Sequence, residues 1–97
     1  MRILLVEDNT DLAASLVDYL EMKGHSCDLA FNGEAGLNAA LSNAYDMYIF
    51  DIAMPKMDGL ELCNVIRTQY YDYTPILFLT ARYTLEDKIA GFAAGAD

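Results

Sequence analysis

Positive charge is scarce in this chain: six Lys and Arg stand against fifteen Asp and Glu, a formal net charge of -9 over 97 residues. That balance repels nucleic acid and anionic membrane surfaces, so this chain alone is not expected to bind either. Cysteine is sparser still. Cys27 and Cys63 have neither metal-ligand spacing nor a CxxC pairing, and are read as small apolar residues of a reducing compartment. No apolar run reaches the length of a membrane span. Met1 and Arg2, followed only by four apolar residues before Glu7 and Asp8, are too short for a signal peptide, so a cytoplasmic domain is expected. The absence of a GxxxxGK loop, and of GxGxxG after the first apolar run, excludes the common nucleotide-binding modes. There is no internal repeat, low-complexity segment or linker, so residues 1–97 are read as one domain, with 55% hydrophobic residues to build its core.

What is present is organised around residues 49–59, Ile-Phe-Asp-Ile-Ala-Met-Pro-Lys-Met-Asp-Gly. An apolar run leads into the single carboxylate of Asp51, and Pro55 and Gly59 then force an irregular loop. This pattern places Asp51 at the carboxyl end of a buried parallel strand, where open α/β sheets bind ligands. Asp51 is read as a nucleophile that accepts a phosphoryl group.

The rest of the chain alternates strand and helix. Ile3, Leu4, Leu5 and Val6 form a continuous apolar run, the mark of a strand covered on both faces. Asn9 or Thr10 then caps a helix with Leu12, Leu16, Tyr19 and Leu20 at helical spacing, and Gly24 ends it. Residues 26–30 alternate as an edge strand does. Asn32-Gly33 is read as a turn, and a second helix carries Leu37, Ala40, Leu41 and Ala44. Residues 46–50 form the strand that delivers Asp51. Asp58, with Glu61, caps a third helix that buries Leu62, Cys63 and Ile66. Asp72 and Pro75 mark a return loop, and residues 76–79 are a fourth, fully apolar strand ending on Thr80. Thr84 and Asp87 start a fourth helix with Leu85, Ile89, Phe92 and Ala93. The expected fold is a doubly wound α/β domain with a parallel sheet and right-handed crossovers.

Glu7 and Asp8, Asp51, and Thr80 each follow a strand. If the first, third and fourth strands are neighbours, about 4.8 Å apart, these groups meet at one carboxyl edge. Converging carboxylates repel unless a cation neutralises them, and Mg²⁺ suits a site of one or two carboxylates that also admits a phosphoryl oxygen. Asp51 can then attack phosphorus, with the hydroxyl of Thr80 within reach of the transferring group.

With these residues in place the chain resembles the receiver domain of a two-component response regulator. The resemblance rests on Leu4-Leu5-Val6-Glu7-Asp8-Asn9, Asp51 with Met54-Pro55 and Asp58-Gly59-Leu60, Thr80-Ala81, Gly91 and Gly95-Ala96-Asp97. It implies a flavodoxin-like sheet of strand order 2-1-3-4, Asp51 as phospho-acceptor, and Mg²⁺ held by Asp8, Asp51 and the Ala53 carbonyl, with Glu7 acting through water. Thr80 closes on the phosphoryl group, and the side chain of Ala53 stands where the family tunes the lifetime of the adduct. The implied donor is a phosphohistidine on a histidine kinase. The effector domain implied for the intact protein, often DNA-binding, is absent from this chain.

The family pattern continues into a fifth strand with a Lys and an aromatic residue, then a fifth helix. Neither is in these 97 residues, and Lys88, within the fourth helical pattern, does not replace that Lys. A truncated receiver is therefore expected, with residues 76–79 as an unprotected apolar edge that invites a homodimer or larger self-association. The alternative function is a self-associating fragment without phosphotransfer. A phosphohydrolase would want a second acid two residues after the nucleophile, where Ala53 stands. Plainer roles go to the remainder. Tyr70, Tyr71 and Tyr73 are read as partly buried packing, His25 as a surface turn residue, Pro55 and Gly59 as backbone devices, and Met47, Met54 and Met57 as packing.

Overall fold

The computed structural model describes residues 1–79, and within them the elements alternate as the sequence predicts. They run β1 (Arg2–Val6), α1 (Thr10–Met22), β2 (Ser26–Ala30), α2 (Gly33–Ser42), β3 (Met47–Asp51), α3 (Gly59–Gln69) and β4 (Ile76–Leu79). The four strands form one sheet in the order β2-β1-β3-β4, all pairs parallel. This is the doubly wound arrangement expected. Thr80 and the fourth helical pattern lie outside the described residues.

Apolar runs on both faces of the strands explain why helices cover both faces of the sheet. Leu4, Val6, Tyr48, Phe50 and Ile76 point to one side, where they pack with Ala40 of α2 and with Leu62 and Ile66 of α3. Ile3, Leu5, Ile49, Leu77 and Leu79 point to the other, with Ala13, Leu16 and Leu20 of α1. Fully burying an aliphatic side chain such as Leu62 contributes about 2 kcal/mol, so each of these faces is a substantial part of the domain's stability. Among the described residues β4 is the edge strand expected, paired with β3, and its Ile76, Leu77 and Leu79 side chains are buried.

Each helix starts on a side-chain cap. The Oδ1 of Asn9 accepts from the Leu12 N–H at 3.0 Å, that of Asn32 from Ala35 at 2.8 Å, and that of Asp58 from Glu61 at 2.8 Å. Asn32-Gly33, read from sequence as a turn, is thus a cap followed by the first helical residue. At the end of α1 Gly24 takes the left-handed conformation (φ 91°), as a helix-terminating glycine does.

The second helix differs most from expectation. Its buried residues are Gly33, Gly36 and Ala40, whereas Leu41 is half exposed and Ala44 falls beyond the helix. A Cβ on Gly36 would lie 2.7 Å from Val6 Cγ2, so small residues let α2 sit close on β1, with Leu37 packed against the core and Leu41 turned outward. The tyrosines at the end of α3 also differ: Tyr70, Tyr71 and Tyr73 are exposed rather than packed. The aromatic residues that do build the core are Tyr45, Tyr48 and Phe50, with Tyr48 stacked on Phe50 at 5.3 Å.

Asp72, read only as a loop marker, ties that loop to the core. It accepts hydrogen bonds from the Tyr48 hydroxyl and from the Thr74 N–H and hydroxyl, at 3.0 and 2.6 Å for the latter two. Burial pushes its carboxyl up, but these bonds and the Arg67 cation outweigh that and hold it below the ordinary value.

Candidate functional site

Parallel register decides which side chains meet at the carboxyl edge. Val6 pairs with Phe50 and Asp51 with Leu79, so Glu7 and Asp51, one step beyond the Val6–Phe50 pair, stand side by side. Side chains alternate along a strand, and Glu7 continues the row of Ile3 and Leu5 as Asp51 continues that of Ile49. The pattern therefore delivers two carboxylates to the same face at the same level, and Asp8 follows where the chain leaves the sheet.

Each of Glu7, Asp8 and Asp51 places a carboxylate oxygen within 4.8 Å of the others'. Glu7 and Asp51 are 1% and 3% exposed, whereas Asp8 is open to solvent. One oxygen of Glu7 accepts from the backbone N–H of Asn9 at 3.2 Å, a contact that sequence reasoning did not single out. Asn9 thereby serves both ends of the turn, its side chain capping α1 and its N–H holding Glu7. The Oδ1 of Asp51 is buried and has no hydrogen-bond partner among the described residues. A buried, unpaired carboxylate oxygen beside a second buried carboxylate is costly, and a divalent cation with oxygen ligands relieves both the repulsion and the unmet bond. The donor set, all oxygen with one member open to water, fits Mg²⁺.

The loop after Asp51 is fixed by its backbone. Ile52 donates to the Leu79 carbonyl at 2.9 Å, while Met54 and Gly59 donate to the Ile52 carbonyl at 3.1 and 3.3 Å. Gly59 lies so close to the Asp51 carbonyl that any Cβ would collide with it, which accounts for a glycine at the start of α3. Gly59 is thus a backbone device, and Met54 is buried in the core. Ala53 is exposed on the same loop two residues after Asp51. Of the residues singled out from sequence, Glu7, Asp8 and Asp51 come together, Ala53 stands on the adjoining loop, and Thr80 lies outside the described residues. The thiol of Cys27 is pushed up to about 11, chiefly by burial and then by Glu21 and Asp28, in keeping with an unreactive packing residue.

A parallel doubly wound sheet with three carboxylates converging at its carboxyl edge, one on the final residue of a central strand, defines an α/β domain whose acidic site suits a divalent cation. The comparisons agree: the response regulator receiver domain family matches residues 3–97, and the chain belongs to that family. Among relatives, it is 46% identical over 97 residues to the transcriptional regulatory protein RprY of Bacteroides fragilis, covering all of this chain and 41% of that protein. It is 41% identical over 96 residues to the response regulator ArlR of Staphylococcus saprophyticus, covering 99% of this chain and 43% of that one. The chain therefore spans about two-fifths of the length of these relatives. Among solved structures, the response regulator TrrA of Thermotoga maritima in complex with Mg²⁺-BeF superposes with a TM-score of 0.78 at 36% identity, covering 95% of this chain and 79% of that one. Family membership makes this a two-component signalling domain and not a metabolic enzyme. No helix among the described residues is long and apolar enough to cross a membrane.

Proposed function

We propose that residues 1–97 act as a receiver that takes a phosphoryl group from a histidine kinase onto Asp51 and so switches the output of a response regulator. The observation that carries this reading is the buried, unpartnered Oδ1 of Asp51 beside Glu7 and Asp8. A carboxylate oxygen of Asp51 attacks phosphorus of the donor's phosphohistidine. The P–O bond forms as the P–N bond breaks, the electron pair leaves on the imidazole, and the product is an aspartyl phosphate. Asp8, Asp51 and the Ala53 carbonyl are the proposed protein ligands of Mg²⁺, with Glu7 acting through water. The bound ion neutralises charge on the transferring group. The Mg²⁺-BeF complex of the similar TrrA supports this choice of metal. Thr80 is assigned to the phosphoryl group through its hydroxyl. The methyl of Ala53 has no group to orient a hydrolytic water, so the adduct is expected to be long-lived.

The names of the relatives support a transcriptional role for a longer protein, with DNA bound by an effector domain outside this chain and a cytoplasmic location. Self-association without phosphotransfer is the weaker reading, because pairing along the backbone edge of β4 leaves the buried, unpartnered Oδ1 of Asp51 unexplained. The test is intact-mass spectrometry after acetyl phosphate with Mg²⁺. A single phosphoryl adduct that disappears in EDTA and in Asp51→Asn is expected, and an adduct that persists in Asp51→Asn rules the assignment out.

A further inference from the structure

The loop that follows Asp51 is pressed against the first turn of α2. Gly33, the first residue of that helix, is buried, and a Cβ built on it would lie 2.6 Å from the Met57 carbonyl oxygen, 2.8 Å from Met57 Cβ and 2.9 Å from Met57 Cγ. The nearest of these atoms is backbone, so a side chain at this position cannot be accommodated by a rotamer change alone. Immediately before the contact Lys56 takes a left-handed conformation (φ 67°), reversing the chain so that Met57 meets α2. Beside the contact the helix start and the loop border an open cleft of about 440 Å³, lined by Asn32, Gly33, Glu34, Pro55, Lys56 and Met57. Packing on that side is therefore discontinuous, and the Gly33–Met57 approach is the point at which α2 braces the loop. At the loop's far end Gly59 admits the Asp51 carbonyl in the same way. Residues 52–58 are thus held at two places by backbone lying against a glycine.

We infer that Gly33 is a positioning residue for the Asp51 site, its bare backbone setting, through Met57, where the loop and the Ala53 carbonyl stand relative to Asp51. The inference rests on the metal and phosphoryl reading proposed above. Groups that orient a metal's ligands without touching the metal typically change its affinity about 10- to 100-fold when altered.

The experiment is Mg²⁺ titration of the full chain by calorimetry, with urea unfolding in EDTA, for wild type, Gly33→Ala and Gly36→Ala. Gly36 is the matched control. It lies on the same helix and a Cβ there would also be crowded, at 2.7 Å from Val6 Cγ2, but its neighbours are side-chain atoms of Val6 and Leu62 rather than the loop. Gly33→Ala is expected to bind Mg²⁺ about 10-fold or more weakly, and Gly36→Ala to bind as wild type does whatever stability it loses. Equal affinity in all three overturns the inference, as does a loss in Gly36→Ala as large as that in Gly33→Ala, which would mean general destabilisation. Failure of the wild type to bind Mg²⁺ overturns the site reading itself, and the inference with it. If Gly33→Ala does not fold, Gly33→Ala/Met57→Gly, which removes two of the three colliding atoms, is read in its place. Affinity in that double variant equal to wild type, while Met57→Gly alone also binds normally, overturns the inference; weakened binding supports it.

Discussion

Neutralising Asp51 should make the metal-free domain more stable, not less. Glu7 and Asp51 are both buried and hold oxygens within 4.8 Å of each other. At that separation two unit charges repel by about 1 kcal/mol in the dielectric of water and about 3 kcal/mol at an effective dielectric of ~20. Asp51→Asn keeps the shape of the side chain, removes this repulsion, and provides amide donors beside Glu7 where the wild type has an unpartnered oxygen. In EDTA the variant should therefore be more stable by about 1 to 3 kcal/mol, which for a domain of this size raises the thermal midpoint by at least roughly 4 °C. Magnesium should reverse the comparison. At 100 times its dissociation constant it adds about 2.7 kcal/mol to a protein that binds it only when folded, and the variant, lacking a ligand, should gain far less. Urea and thermal unfolding of both proteins, each in EDTA and in Mg²⁺, measure all four values. A variant no more stable than wild type in EDTA, or equal stabilisation of both by Mg²⁺, would refute the claim that repulsion is concentrated at Asp51 and relieved by the ion.

Three other outcomes follow from the same structure. Tyr48→Phe removes a buried donor to Asp72 and should cost about 1.5 to 3 kcal/mol near neutral pH. Because the Asp72 carboxyl is held below its ordinary 3.8, its contribution is fully present above that value and is lost as pH falls through the lower folded value, so the gap between variant and wild type should close in acid-unfolding curves run below pH 3.8. Asp58→Ala deletes the α3 cap and should lower stability by about 1 kcal/mol in urea, with earlier amide exchange in the first turn of that helix. Ala53→Asn places an amide two residues from the acceptor, and the aspartyl phosphate should decay faster than in wild type by intact-mass time course; an unchanged decay would remove Ala53 from any role in adduct lifetime.

The strands and the acidic residues were legible because each depends on local pattern. Short continuous apolar runs bounded by acids or chain breakers, such as residues 3–6 and 76–79, read as strands covered on both faces, and the acids that end the first and third runs stand at a sheet edge wherever the sheet forms. Helix caps were equally local, and Asn9 and Asp58 cap as read. The face of α2 is legible only in part: Ala40 is buried and Leu37 packs against the core as the pattern predicts. Periodicity weights large apolar residues and so places Leu41 inward, whereas close approach to β1 selects Gly36. Asn32-Gly33 likewise reads as a turn from sequence but is a cap and the first residue of α2. The dipeptide has the composition of one, and only the approach of Met57 explains why the helix must open on a residue without a side chain.

By itself, then, the sequence determined the alternation of strand and helix, the parallel sheet and the identity of the carboxylates, because hydrophobic period and chain breakers act over a few residues. Only the tertiary structure decided that Glu7 and Asp51 share one level and one face, that one oxygen of Asp51 is left without a partner, and that α2 braces the loop beyond it. These depend on parallel register and on backbone-to-backbone distance between segments far apart in the chain. No run of neighbouring residues encodes such distances, which is why they emerge only once the strands are paired and the helices are packed.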